Sequence, residues 1–82
     1  MNDTKIKQDS MIHIGANIRR VRLNRKIGQT KLVTMLHLAG LDMTRESLVK
    51  IERGIQHVSA SQLFAIKNAL ETTYDELLKP RD

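Results

Sequence analysis

The sequence predicts a single all-α domain, and three observations lead there. Phe64 and Tyr74 are the only aromatic residues, so the 40% of the chain that is apolar consists mainly of Ile, Leu, Val, Met and Ala, which suit helices. Four Gly and one Pro are too few to punctuate the tight turns of a small sandwich or barrel. Apolar residues recur at helical rather than alternating spacing in one segment after another. With 82 residues there is room for one core, so the expected organisation is a mobile N-terminal arm over residues 1–12 and a five-helix domain over residues 13–79.

The first helix is expected to be capped by Ser10 and to run to about Lys26. Ile14, Ile18 and Val21 form its inner stripe, and Met11 continues that stripe backwards. Gly28 serves as N-cap for a second helix that opens at Gln29. Leu32, Val33 and Leu36 form its apolar face, widened by Met35 and Ala39, and Gly40 takes the left-handed position after its end, where Leu41 closes against the last turn. Thr44 caps a third helix carrying Leu48, Ile51 and Ile55, which Gly54 ends. Ser59 caps a fourth, with Leu63, Ile66 and Leu70 inward and Phe64 alongside, until Thr72 and Thr73 break it. Tyr74, Leu77 and Leu78 form a short fifth helix with Asp75 and Glu76 in the first turn, where the helix dipole favours acids, before Pro80.

Charge narrows the function. The net charge is +5, and residues 14–54 concentrate it: nine basic residues stand there against Asp42, Glu46 and Glu52. A polyanion, most simply nucleic acid, is the expected partner. On the third helix, Arg45, Glu46, Val49, Lys50 and Arg53 fall on the face opposite Leu48 and Ile51, free to touch something. The absence of cysteine excludes disulfides, thiolate zinc sites and cysteine nucleophiles. His13, His37 and His57 stand apart without a carboxylate at metal-ligand spacing, so no metal or cofactor is expected. Met1, Met11, Met35 and Met43 read as an initiator and core filler. No phosphate loop, nucleophile elbow or paired carboxylate suggests an enzyme. No apolar run approaches the roughly 20 residues of a membrane span, and no signal peptide opens the chain, so a cytoplasmic protein with no membrane association is expected.

Ile14-Gly15, Ile18, Val21 and Arg22, then Gln29 with Leu32, then Thr44 with Leu48, Ile51, Glu52, Arg53 and Gly54 follow one another in a familiar order. With Ser59, Leu63, Ile66, Leu70 and the run Asp75-Glu76-Leu77-Leu78, this pattern resembles the Xre/Cro/cI family of phage and bacterial helix-turn-helix repressors, over residues 14–78. The chain departs from the family pattern in several places. His37 to Leu41 look like an insertion that lengthens the second helix and the turn. Val33 and Lys67 each replace an alanine, and Glu71 stands where a glycine is common.

The resemblance implies a compact lambda-repressor-like DNA-binding domain whose third helix, about residues 44–54, enters the major groove of double-stranded operator DNA while the second lies across the backbone. By match of position, Thr44, Arg45, Glu46, Ser47, Val49 and Lys50 face the groove. Arg45 has the planar fork that suits the O6 and N7 acceptors of guanine, and Glu46 can only accept, which suits a cytosine amino group. Val49 suits a thymine methyl, and Lys50 a base or a phosphate. Thr44 and Ser47 are expected on phosphate oxygens. Gln29, at a helix N-terminus, matches the family's phosphate contact, with Lys31, Arg53 and the arm's Lys5 and Lys7 adding backbone contacts. The resemblance also implies an ion pair between Arg22 and Glu52 that ties the first helix to the third, with Arg22 near a phosphate.

The expected function is therefore a sequence-specific transcriptional regulator, a repressor, acting as a homodimer on DNA through the fifth helix (Tyr74, Leu77, Leu78) or the arm. The alternative is a protein-interaction adaptor or antitoxin-type module, in which His37, Leu38 and Leu41 form an exposed apolar patch for a protein partner.

Overall fold

A computed structural model describes residues 5, 6, 8, 9 and 11–80. Five helices follow one another as α1 (Ile14–Asn24), α2 (Gln29–Leu38), α3 (Arg45–Glu52), α4 (Ala60–Ala69) and α5 (Tyr74–Leu77). Two short strands, β1 (Lys5–Ile6) and β2 (Val58–Ser59), pair antiparallel with Lys5 opposite Ser59 and Ile6 opposite Val58. The fold is thus mostly helical, and the strand pair is the exception to the all-α expectation. α1 packs on α3 and α5, and α2 packs on α3 and α4. The core between them is Ile14, Ile18, Val21, Leu32, Leu36, Leu48, Ile51, Leu63, Ile66, Leu70 and Leu77, joined by Met43 from the α2–α3 connection and Val58 from β2.

Each of the first four helices ends in the same way. The third residue past its last helical one bonds back across the turn: Ile27 N–H to Arg22, Leu41 N–H to Leu36, Ile55 N–H to Lys50 and Thr72 N–H to Lys67. The residue that swings into the left-handed conformation is Gly40 at φ 90° and Gly54 at φ 77°, but Lys26 at φ 58° and Glu71 at φ 52°. A side chain at those two positions costs backbone strain of about 1 kcal/mol or more each. At Glu71 the turn has an added tie, because Arg25 Nη2 donates to the Glu71 carbonyl at 2.7 Å.

These ends correct several sequence expectations. α1 stops at Asn24, short of Lys26, because Lys26 itself makes the left-handed turn. α1 begins at Ile14, so Met11 lies outside it and is exposed; Ser10, the expected cap, lies outside the described residues. In place of a cap from His13, Gln8 Oε1 accepts from Gly15 N–H at 3.1 Å. Ile55 does not continue the inner stripe of α3: Gly54 turns the chain first, leaving Ile55 64% exposed. Phe64 is exposed on α4, whose N-terminus is held by a reciprocal pair in which Gln62 N–H donates to Ser59 Oγ and Ser59 N–H to Gln62 Oε1.

The stretch expected as a free arm lies, in its described part, against the domain. β1 adds to β2, and the Asp9 carboxylate accepts from the Met11 and Ile12 N–H groups at 2.9 and 3.0 Å. Those bonds, Ile12 first, hold the Asp9 carboxyl below its ordinary value of 3.8. Lys7 lies outside the described residues.

Candidate nucleic-acid interface

α2 and α3 are joined by residues 39–44, and what sets their relation is built into both sequences. Thr44 Oγ1 accepts from Ser47 N–H at 3.0 Å, so α3 starts at a defined residue, with Arg45 and Glu46 in its first turn. Leu48 and Ile51 then point into the core beside Leu32 and Leu36 of α2. α1 approaches α3 at Gly15, where an added Cβ would collide with the Ile51 carbonyl oxygen, so backbone meets backbone there.

One buried pair fixes the inner side of α3. Arg22 Nε donates to Glu52 Oε2 at 2.7 Å and Arg22 Nη2 to Glu52 Oε1 at 2.8 Å, a two-pronged contact between side chains that are almost wholly buried. The remaining prong, Nη1, donates to the Ile27 carbonyl at 2.9 Å, tying in the α1–α2 turn. Gln29 Nε2 adds a bond to Glu52 Oε1 at 3.2 Å. The cluster thus draws α1, α2 and α3 onto one carboxylate. Arg22, expected near a phosphate, has each nitrogen of its guanidinium bonded to an acceptor within the protein, and its side chain is 7% exposed. Gln29 sits half-buried at the first position of α2, with part of its carboxamide committed to Glu52.

The outer side of α3 is different. Thr44, Arg45, Glu46, Lys50 and Arg53 are exposed, while Ser47 and Val49 are half-buried at the edge of the same face. Among the described residues, neither Arg45, Glu46, Lys50 nor Arg53 enters an ion pair. Elsewhere Arg20 and Arg25 are engaged: Arg20 Nη1 lies 3.5 Å from Glu76 Oε1 and its Nη2 donates to the Glu76 carbonyl, and Arg25 Nη2 donates to the Glu71 carbonyl. Lys31 is exposed on α2. An eight-residue helix is about 12 Å long, with its outer side chains fanned along one side. A helix with its side chains is about 10 to 12 Å across, which suits a major groove about 12 Å wide, with donors, the Glu46 acceptor and the edge of Val49 along the outer side.

The α2–α3 connection carries a contact that the sequence pattern did not disclose: His37 Nε2 lies 3.0 Å from the Met43 carbonyl oxygen and 3.4 Å from Asp42 Oδ1. Leu41 packs against the core, and Leu38 is 85% exposed. Among the described residues no group of three or more His, Cys, Asp or Glu is placed to hold a metal ion, and no helix is long and apolar enough to cross a membrane.

This architecture is shared with solved structures of regulators. The restriction-modification controller protein C.AhdI from Aeromonas hydrophila superposes with a TM-score of 0.67 at 27% identity, over 80% of this chain and 92% of that one. The chain shares the helix-turn-helix fold of these regulators. The same fold recurs in the clp gene regulator ClgR from C. glutamicum, with a TM-score of 0.71 at 20% identity over 92% of this chain and 90% of that one. It recurs again in a mutant form of the restriction-modification controller protein C.Esp1396I, with a TM-score of 0.69 at 22% identity over 90% of this chain and 92% of that one. No protein-family model and no curated protein matches the sequence. In the helix-turn-helix domain described here, α2 and α3 are the motif, α1 supports it through Gly15 and Arg22, and α4 and α5 close the core from the other side.

Proposed function

We propose that this helix-turn-helix domain is a sequence-specific transcriptional regulator of double-stranded DNA, a repressor that occupies its operator with α3 in the major groove. The observation that carries the reading is the outer face of α3: exposed charged residues with no ion pair among the described residues, on a helix whose inner face is held at three places. A face held so rigidly yet left unpaired is suited to an external polyanion with edges to read. Arg45 is the candidate for a guanine, Glu46 for a cytosine amino group, Val49 for a thymine methyl and Lys50 for a base or phosphate. Lys31, Arg53, Thr44, Ser47 and the backbone N–H groups at Gln29 contact phosphates and set the register. The Thr44 hydroxyl accepts from Ser47 N–H and keeps its own hydrogen to donate to a phosphate. Lys5 stands exposed at the strand pair and joins the backbone contacts only where the DNA passes that side. The neighbouring structures, two controller proteins and a gene regulator, support a regulator rather than an enzyme. Such a protein works in the cytoplasm and needs no cofactor.

The reading includes a homodimer on DNA. Leu77 drops out of the expected interface because it is fully buried in the core, leaving exposed Tyr74 and half-buried Leu78 on α5, with the exposed ring of Phe64 on neighbouring α4. The adaptor reading asked for an apolar patch at His37, Leu38 and Leu41. His37 and Leu41 are engaged within the domain, so Leu38 stands without them.

The test is selection of bound sites from a random duplex library. A single enriched site, palindromic with half-sites roughly 34 to 36 Å apart and lost steeply as salt rises, is the expected outcome. Binding without any enriched sequence would overturn it in favour of the adaptor.

A further inference from the structure

We propose that His37 is a positioning residue for DNA reading: its Nε2–H latches the lengthened α2–α3 turn onto the Met43 carbonyl and so sets where the first turn of α3 enters the groove. This rests on the DNA-binding reading of α3. The turn leaves one carbonyl free to take such a donor. Thr44 is the N-cap, and the first carbonyl of the α3 ladder is its own, which accepts from Leu48 N–H at 3.1 Å. The Met43 carbonyl lies one residue upstream of that ladder, and Ser47 N–H, the group within reach from the first turn of the helix, is taken by Thr44 Oγ1. The Met43 side chain is buried in the core, so the peptide that carries this carbonyl is anchored from the inside. His37, in the last turn of α2, approaches the same carbonyl from the outside at 3.0 Å. A carbonyl oxygen only accepts, so Nε2 carries the hydrogen.

The latch closes a segment that has little else to define it. Gly40, at φ 90°, turns the chain out of α2, and Leu41 bonds back to Leu36, but residues 42 and 43 then run to Thr44 without a ladder of their own. A bond from residue 37 to residue 43 spans that whole stretch and joins the end of one motif helix to the start of the other. Asp42, fully exposed with Oδ1 3.4 Å from the same nitrogen, is the other charged group facing the ring. With the latch made, Arg45 and Glu46 stand at one distance from α2. Without it, the turn is tethered at Leu41 and Met43 only, and the first turn of α3 has more than one setting. Reading depends on that setting far more than charge attraction does, so loss of the latch reduces discrimination rather than bulk affinity.

The experiment compares the full chain with His37→Ala, His37→Gln and Asp42→Asn, using the site enriched from the random library and an unrelated duplex. Expected is a fall in the ratio of specific to non-specific binding by about fivefold in His37→Ala, the size of one hydrogen bond. Its melting temperature falls by no more than the few degrees that one hydrogen bond is worth, and His37→Gln, whose carboxamide N–H reaches to a similar distance, restores the ratio. Asp42→Asn leaves it within twofold. An unchanged ratio in His37→Ala would overturn the proposal, and so would a loss that Asp42→Asn reproduces and His37→Gln does not restore, because the ion pair would then be the cause. If the wild type enriches no site, the DNA reading itself fails, and amide hydrogen exchange over residues 44–48 decides the latch: faster exchange in His37→Ala, reversed in His37→Gln, supports it, and unchanged exchange overturns it.

Discussion

The inner and outer faces of α3 are made from neighbouring residues of one eight-residue helix, yet they are governed by opposite rules. Inward, Leu48 and Ile51 are close-packed, Glu52 is held by Arg22 and Gln29, and Gly15 brings α1 into backbone contact. Outward, Arg45, Glu46, Lys50 and Arg53 stand in solvent without ion-pair partners among the described residues. The difference teaches where each kind of specificity resides. The inner face commits its polar chemistry to one carboxylate, which determines the pitch of the helix. The outer face leaves its polar chemistry open for a ligand.

The comparison breaks most severely at Glu52. Glu52→Ala leaves the Arg22 guanidinium buried without its anion and is expected to lower stability by about 3 to 5 kcal/mol. Arg22→Ala does the same from the other side, and the double variant loses less than the sum of the two in a denaturation cycle. Strictly additive losses would show that the pair does not act as a unit. Gly15→Ala comes next, at about 3 kcal/mol, because the new methyl meets the Ile51 carbonyl and backbone rather than a yielding side chain. Equilibrium unfolding measures it, and stability equal to the wild type would mean that α1 and α3 have room to separate.

On the outer face the order of effects reverses: stability is expected to be unchanged and binding to fall. Arg45→Ala should lose about 1 to 3 kcal/mol on the selected site and relax preference at one base pair, with binding to random DNA nearly intact. Base preference that survives the substitution would remove Arg45 from the reading set. Lys31→Ala should weaken all sequences alike and reduce the slope of log affinity against log salt by about one. A change confined to one sequence would make Lys31 a reader instead.

The smallest expected effect lies where the N-terminal segment meets the α1–α3 contact. Asp9 has a lowered pKa in the folded chain, so its contribution to stability is complete above its ordinary value of 3.8 and is lost as pH falls through the lowered folded value. Hydrogen exchange at Gly15, whose N–H is held by Gln8, should quicken in that acid window and be insensitive to pH above it, once the intrinsic pH dependence of exchange is divided out. In Asp9→Asn the same amide should lose that acid dependence, and a dependence that persisted would trace it to another carboxylate.

Much of this could be read from residue order. Helical spacing marked the inner stripes of all five helices, and the caps at Gly28, Thr44 and Ser59 and the left-handed turns at Gly40 and Gly54 follow from local chemistry. Ile55 and Met11 were misplaced for one reason: periodicity extends a stripe past a helix end, and only the chain reversal at Gly54 and the late start at Ile14 cut it short. Lys26 is not legible as a left-handed position because its side chain disfavours that conformation, whereas the resemblance marks Glu71 as standing where a glycine is common. Met43 lies in a connector and Val58 in a two-residue strand, both too short for a period to point inward.

What the sequence determined by itself was therefore local and repetitive: five amphipathic segments, their starts, two glycine stops and a basic block of which Arg45, Lys50 and Arg53 fall on the outer side of the third helix. What only the tertiary structure decided was pairwise and distant in sequence. That Gln29 shares Glu52 with Arg22, that Gln8 caps α1, that β1 adds to β2 and that His37 reaches the Met43 carbonyl all depend on side-chain distances set after the helices have packed. Helix formation reads a period along the chain, whereas these contacts require two separate segments to arrive at the same place, and no spacing within either segment encodes that meeting.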